Sequence, residues 1–361
     1  MKRVPGPEPP KGRGATANPE GRFEPRRVEA VWDDREPGSG DPSPATQLFV
    51  DSARHILTRN DSPDVPFDVS VNPYRGCEHG CAYCFARPTH AFLNLSPGLD
   101  FETKIFTKPH AATLLRRELS KPGYVCQPIA LGTNTDPYQP VERRERITRR
   151  LLEVLVEHRN PFSIVTKSAL VLRDLDLIAE QAAAGRASVF LSVTTLDAGL
   201  AGRLEPRAAA PHRRIATLRA LSEAGVPCGV LASPMIPALN DHELESILEA
   251  GAGAGACYAG YILVRLPHEV KEVFSDWLAQ HEPGRAAKIL GRIRDARGGK
   301  LNDPRFGARM RGDGPYAEML ARRFEVARRR LGFQTHRPQL DVSAFRAPQP
   351  PGAPRGLFET S

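Results

Sequence analysis

Cys77, Cys81 and Cys84 stand in the run Cys-Glu-His-Gly-Cys-Ala-Tyr-Cys, a C-x3-C-x2-C spacing. One short loop thus gathers three thiols, with no fourth cysteine nearby. Three thiolates can hold three corners of a cubane [4Fe–4S] cluster and leave the fourth iron open. An open iron can bind a small molecule and pass it an electron, whereas a structural metal site needs a closed shell. A zinc site would need His79 or His90 as fourth ligand, and the paired C-x2-C units or distant His pair typical of zinc are missing. A disulfide does not suit this spacing in a chain without a secretory signal. His79 itself reads as a solvated loop residue.

The 361 residues suffice for one large domain or two modest ones. The apolar fraction is ordinary, and no apolar run reaches membrane-spanning length. Met1–Pro10 is Pro-rich and charged rather than signal-like, so a cytoplasmic location and no membrane partner are expected. Cys126, Cys228 and Cys257 are scattered and read as small packed residues. The net charge is +8 and Arg outnumbers Lys. Arg suits bidentate phosphate contacts, but a chain rich in Ala, Arg, Pro and Gly is also what a GC-rich genome encodes. Placement of the charge therefore says more than its sum.

Residues 1–45 and 339–361 are rich in Pro and poor in apolar residues, and are expected to be disordered tails. Between them strand and helix alternate. Strands are expected at Phe67–Val71, Pro128–Gly132, Phe162–Thr166, Ala187–Thr194, Val226–Ala232 and Tyr258–Val264. Helices are expected at His110–Ser120, Val141–His158, Leu170–Ala184, Pro211–Ala224, Asp241–Ala250 and Glu269–His281. Ile147, Leu151, Leu152 and Leu155 give the second helix its apolar face. Six such units predict an α/β fold with a parallel sheet, a partial (β/α)6 barrel over 65–283. Arg285–Arg297 and Pro315–Leu331 read as two further helices of a basic extension, 284–338. It carries Arg292, Arg294, Arg297, Lys300, Arg305, Arg309, Arg311, Arg328, Arg329 and Arg330, and reads either as a solvated helical cap or as a surface for a polyanion.

In parallel barrels the C-terminal strand ends build the active site. The polar motifs fall there: the cysteine loop after strand one, Thr133-Asn134-Thr135-Asp136 after strand two, and Thr166-Lys167-Ser168 at the end of strand three. Ser192, Thr194 and Thr195 end strand four, Pro234–Asn240 follows strand five, and Arg265 follows strand six.

The cysteine spacing, with Tyr83 before the last cysteine, resembles the signature of the radical S-adenosylmethionine (SAM) superfamily. Asn72-Pro-Tyr-Arg-Gly-Cys, Thr135-Asp-Pro-Tyr-Gln-Pro-Val-Glu142, Thr166-Lys-Ser, Thr194-Thr-Leu-Asp197, Leu204-Glu-Pro-Arg207 and Gly225-Val-Pro-Cys-Gly-Val-Leu-Ala-Ser-Pro-Met-Ile-Pro are similar to the spore photoproduct lyase and DNA-repair-photolyase-like branch, over about residues 65–280. The resemblance implies a partial barrel, a [4Fe–4S] cluster on Cys77, Cys81 and Cys84, and SAM as second cofactor. SAM would be cleaved reductively to a 5′-deoxyadenosyl radical that takes hydrogen from a substrate. Tyr83, Thr135, Asp136, Lys167, Ser192 and Thr194 are the implied SAM contacts, and Tyr138, Arg207 and Arg265 the substrate candidates. An electron donor such as flavodoxin or ferredoxin is implied, with nucleic acid as the favoured substrate class. A peptide or small-molecule substrate, and a non-enzymatic metal-dependent nucleic-acid binder, are the alternatives. One departure stands out. Spore photoproduct lyases place a hydrogen-donating cysteine where this chain has Thr133, whose O–H bond is far too strong for that task. Cys126 lies upstream, at the wrong end of the barrel; Tyr138 and Tyr258 are other candidate donors.

Overall fold

The computed structural model describes residues 12–23 and 45–348. Its strands, in chain order, are β1 (Gln47–Val50), β2 (Leu57–Arg59), β3 (Val69–Val71), β4 (Tyr74–Arg75), β5 (Lys104–Thr107), β6 (Ile129–Leu131), β7 (Phe162–Thr166), β8 (Ala187–Ser192), β9 (Cys228–Met235) and β10 (Tyr258–Leu263). Its helices are α1 (Leu99–Thr103), α2 (Ala111–Leu119), α3 (Glu142–Glu145), α4 (Ile147–Glu157), α5 (Leu175–Ala183), α6 (Ala198–Leu204), α7 (Pro211–Glu223), α8 (Leu244–Gly253), α9 (Val270–His281), α10 (Ala286–Asp295), α11 (Ala308–Arg311) and α12 (Gly314–Arg330).

Strands β3, β6, β7, β8, β9 and β10 pair in that order, all parallel, and β2 adds an antiparallel strand beside β3. These are the six expected strands. All six residues of β8 are buried, as befits a parallel strand covered on both faces. Helices α5, α7 and α8 pack on β8 and β9. Residues Ile147, Leu151, Leu152 and Leu155 of α4 are all buried, as their spacing predicts. Among the described residues β10 does not pair with β3, so the sheet stays open. No described helix is long and apolar enough to cross a membrane.

Several details differ from the sequence reading. The helix expected over Val141–His158 is broken at Arg146, which has a φ of 51°. The cause is Glu142, whose carboxylate turns back to accept the Ile147 and Thr148 N–H groups at 2.9 and 3.1 Å and so caps α4. The extension holds three helices rather than two, and β1, β5 and β4 form a small second sheet that no alternation of apolar residues announced.

Parts of both expected tails are among the described residues and lie on the fold. Residues 12–23 lie on the fold, with Arg13, Gly14 and Ala15 buried. Gly14 and Ala15 donate their N–H groups to the Glu102 carboxylate at 3.1 and 2.8 Å. At the other end, residues 334–346 cross beneath the strands. The N–H groups of Gln334, Asp341 and Arg346 reach the carbonyls of Cys257, Gly185 and His158, which precede β10, β8 and β7. Composition alone missed these segments because backbone pairing and single side chains, such as Phe345 against Tyr124, tie them down rather than a periodic apolar face. The rest of both expected tails, 1–11, 24–44 and 349–361, lies outside the described residues.

Candidate active site

The cysteine loop is clasped by backbone contacts from every side. Cys77 N–H reaches Phe101 O at 2.9 Å, and Ala82 N–H reaches Leu204 O at 3.0 Å. Gln139 accepts from Glu78 N–H at 2.8 Å and donates to Gly76 O at 3.1 Å. Arg87, fully buried, donates its Nε to Cys81 O at 2.9 Å and pairs with Glu102 at 2.5 Å. Gly76 and Gly80 have φ of +79° and +67° with close neighbours, so the loop's sharp path needs glycine at both.

The three cysteines line one cavity of about 1640 Å³ at the C-terminal ends of the strands. Burial pushes all three thiols above their ordinary range. Three thiols facing one cavity, Cys77 and Cys81 buried and Cys84 half-buried, fit a group that takes them as thiolates, and a [4Fe–4S] cluster is such a group. A zinc reading fares worse. His90 Nε2 lies 3.0 Å from Lys104 O with its ring edge-on to Phe101. His79 is not solvated as expected: it is buried, its Nδ1 lies 3.4 Å from Asp136 Oδ2, and burial lowers its pKa to about 4. Among the described residues no group of three or more His, Cys, Asp or Glu side chains is drawn together as a single-ion site.

The cavity sorts the sequence candidates. Tyr83, Asp136, Lys167, Ser192 and Arg265 line it with the cysteines, and so does Thr133. Asp136 also braces the wall: it accepts from Thr166 Oγ1, Tyr138 N–H and Lys167 N–H at 2.7, 2.9 and 2.8 Å. Gly132 lets β6 pass close to β7, since a Cβ there would lie 1.9 Å from Val165 O. Burial lowers the Lys167 pKa, and Cys81 opposes that. Arg265 stacks over the Phe85 ring at 5.2 Å, and its Nε is buried without a partner among the described residues.

Thr135, Thr194, Tyr138 and Arg207 do not line the cavity. Thr135 donates to Tyr74 O at 3.0 Å. Tyr138 is buried and donates to Asp174 at 3.1 Å. Arg207 pairs with Glu78 at 3.0 Å. Thr194 is buried, bonded to Glu205 and to Ser233 O at 2.6 and 3.0 Å. The motifs carrying these four residues hold the loops in place. Tyr258, at the start of β10, and Cys126, at 3.5 Å from Asn160 before β6, both lie off the cavity. The sequence reading gave Glu205 no role. It is fully buried at the hub of the site, and its only sequence signal was a carboxylate inside the Leu204–Arg207 motif.

The basic extension divides. Arg309, Arg311, Arg328 and Arg329 line the cavity. Arg297 is buried and donates to the carbonyls of Leu263, Val264 and Ala308. Arg292 and Arg305 pair with nearby aspartates, and Arg330 with Glu249, off the cavity. In all, eleven Arg and Lys residues and three acidic residues line the cavity.

An uncharacterised protein of Mycobacterium tuberculosis strain H37Rv is 39% identical over 233 residues, 64% of this chain and 67% of that protein. An uncharacterised protein of Methanocaldococcus jannaschii is 30% identical over 173 residues, 48% of this chain and 62% of that one. Among solved structures, a spore photoproduct lyase variant superposes with a TM-score of 0.58 at 14% identity, covering 79% of this chain and 80% of that one. Spore photoproduct lyase complexed with dinucleoside spore photoproduct superposes with a TM-score of 0.56 at 14% identity and the same coverage. These structures share the fold. Residues 71–251, which include the three cysteines and strands β6 to β9, match the Radical SAM superfamily, and this chain belongs to that superfamily, whose cofactors are a [4Fe–4S] cluster and SAM.

Proposed function

We propose that the protein cleaves SAM reductively and takes hydrogen from a substrate carrying phosphate groups, with nucleic acid as the class. The observation that carries this reading is one cavity holding three thiols at its wall and eleven cationic side chains around it. Cys77, Cys81 and Cys84 would hold the cluster, which when bound supplies the electron for C–S cleavage. Lys167 would meet the SAM carboxylate and Ser192 a ribose hydroxyl. Ser233 and Pro234 offer a wall for the adenine, and Tyr83 closes the loop side. Arg265 and Arg311 face the remaining volume and would take phosphate oxygens. The spore photoproduct lyase complexed with dinucleoside spore photoproduct supports this class by likeness of fold.

Thr133 occupies a cavity position without a donor bond weak enough to give up hydrogen to a carbon radical. The substrate radical would therefore be quenched differently from the branch it resembles.

The test is anaerobic reconstitution with iron and sulfide, reduction, addition of SAM, and assay for 5′-deoxyadenosine beside Cys81→Ala. Product from the wild type and none from the variant is the expected outcome. Iron retention without product in the presence of damaged DNA would count against cleavage. A colourless zinc protein would end the reading.

A further inference from the structure

The Glu205 side chain has no solvent exposure, and it stands where three loops of the site meet. One oxygen accepts the hydroxyls of Tyr83, from the cysteine loop, and Thr194, just beyond β8. Lys167 Nζ, just beyond β7, lies 3.8 Å from the same oxygen. The other oxygen takes the guanidinium of Arg214, itself buried and anchored to Ser192 O at 3.0 Å and Ala209 O at 2.7 Å. The backbone on either side of Glu205 repeats the attachment: Leu204 O accepts from Ala82 N–H, and Arg207 N–H donates to His79 O at 3.3 Å.

A buried carboxylate is costly unless paired and hydrogen-bonded. Arg214 alone would pair it. The further contacts to Tyr83, Thr194 and Lys167 exceed what burial demands, and two of these residues, Tyr83 and Lys167, line the cavity. One carboxylate thus stands between two cations, and the excess positive charge sits on Lys167, which faces the cavity. Without Glu205, Arg214 and Lys167 would be left as two cations at the same buried point. Lys167 would then retreat toward solvent or lose its proton.

We propose that Glu205 is a positioning residue for SAM. It holds the Lys167 ammonium, and through Tyr83 the cysteine loop, in the register that receives the SAM carboxylate. The inference rests on the reading of the cavity as a SAM site. It concerns a residue that touches neither reacting atoms nor cluster and acts through Lys167.

The experiment is a double-mutant cycle on anaerobically reconstituted protein, with Glu205→Gln, Lys167→Met and both together. The probe is SAM itself. The readouts are its dissociation constant by equilibrium dialysis and the SAM-induced change in the EPR spectrum of the reduced cluster. Glu205→Gln should retain iron and bind SAM about 10–100-fold more weakly, as loss of a residue that orients a ligand-holding group does. In the Lys167→Met background the same change should alter binding by less than about twofold, because the two residues form one unit. Equal effects in both backgrounds, or full SAM affinity in Glu205→Gln, overturn the proposal and leave the superfamily assignment untouched. Should Glu205→Gln lose iron or fail to fold, Tyr83→Phe decides, since it removes one hydroxyl and keeps the ring. Weakened SAM binding with iron retained supports the proposal, and unchanged binding overturns it. A wild type that retains its cluster and binds no SAM overturns both the inference and the reading beneath it.

Discussion

Arg87 and Glu102 are both fully buried, and together they hold the carbonyl of Cys81 and the N–H groups of Gly14 and Ala15. Removing one partner of such a pair leaves an uncompensated charge and costs about 3–5 kcal/mol. Arg87→Met should therefore lower the unfolding free energy by about that amount in urea titration of the metal-free protein, where cluster binding does not compensate. His90 gives a pH prediction. Its pKa is lowered to about 4 by burial, against an ordinary value of 6.5, and its Nδ1 is buried without a partner among the described residues. The unfolded chain binds the proton first, so His90 contributes stability that is present above pH 6.5 and lost as pH falls from there toward 4. Between pH 7 and 5 the wild type should lose on the order of 1–2 kcal/mol more than His90→Gln, read from urea midpoints at each pH.

At the scale of elements, the six parallel strands were legible because each is a short apolar run bounded by turn residues, and each was placed within about three residues. The rim position of the polar motifs followed from the barrel rule, and five SAM or substrate candidates do reach the cavity. The other candidates stand off the cavity for one physical reason. A hydroxyl or guanidinium at a strand end can face the cavity or hold a neighbouring loop, and spacing does not say which. Thr135 and Arg207 hold loops. Residues 12–23 were illegible because they attach through backbone N–H groups and Arg13 rather than through an apolar stripe. Their deletion together with residues 1–11 should expose the cysteine loop. Hydrogen exchange at Cys77–Arg87 should speed up several-fold while the strands keep their protection. Unchanged exchange there would show that the segment merely rests on the fold.

For the whole molecule, the overall charge says less than its distribution. Arg305 pairs with Asp303 away from the cavity, whereas Arg311 lines it. If phosphate groups enter, affinity for single-stranded or damaged DNA should fall steeply with salt, and Arg311→Ala should reduce the log–log slope by about 1. Arg305→Ala should leave the slope unchanged. No salt-dependent binding by the wild type would favour the peptide or small-molecule reading.

The open seam between β10 and the β3 side is spanned by side chains. Asp64 accepts from Gly307 N–H at 2.6 Å and pairs with Arg309 of α11, which packs on β10. A strand pair closes a wall with a ladder of backbone bonds that separates only when the sheet unzips. The Asp64 carboxylate and the Ser62 hydroxyl can part from Arg309, on one helix turn, and re-form without disturbing any strand. The cavity wall on this side is therefore closed by side-chain contacts rather than by a strand ladder, so its strength rests on a few polar groups and not on the number of strands.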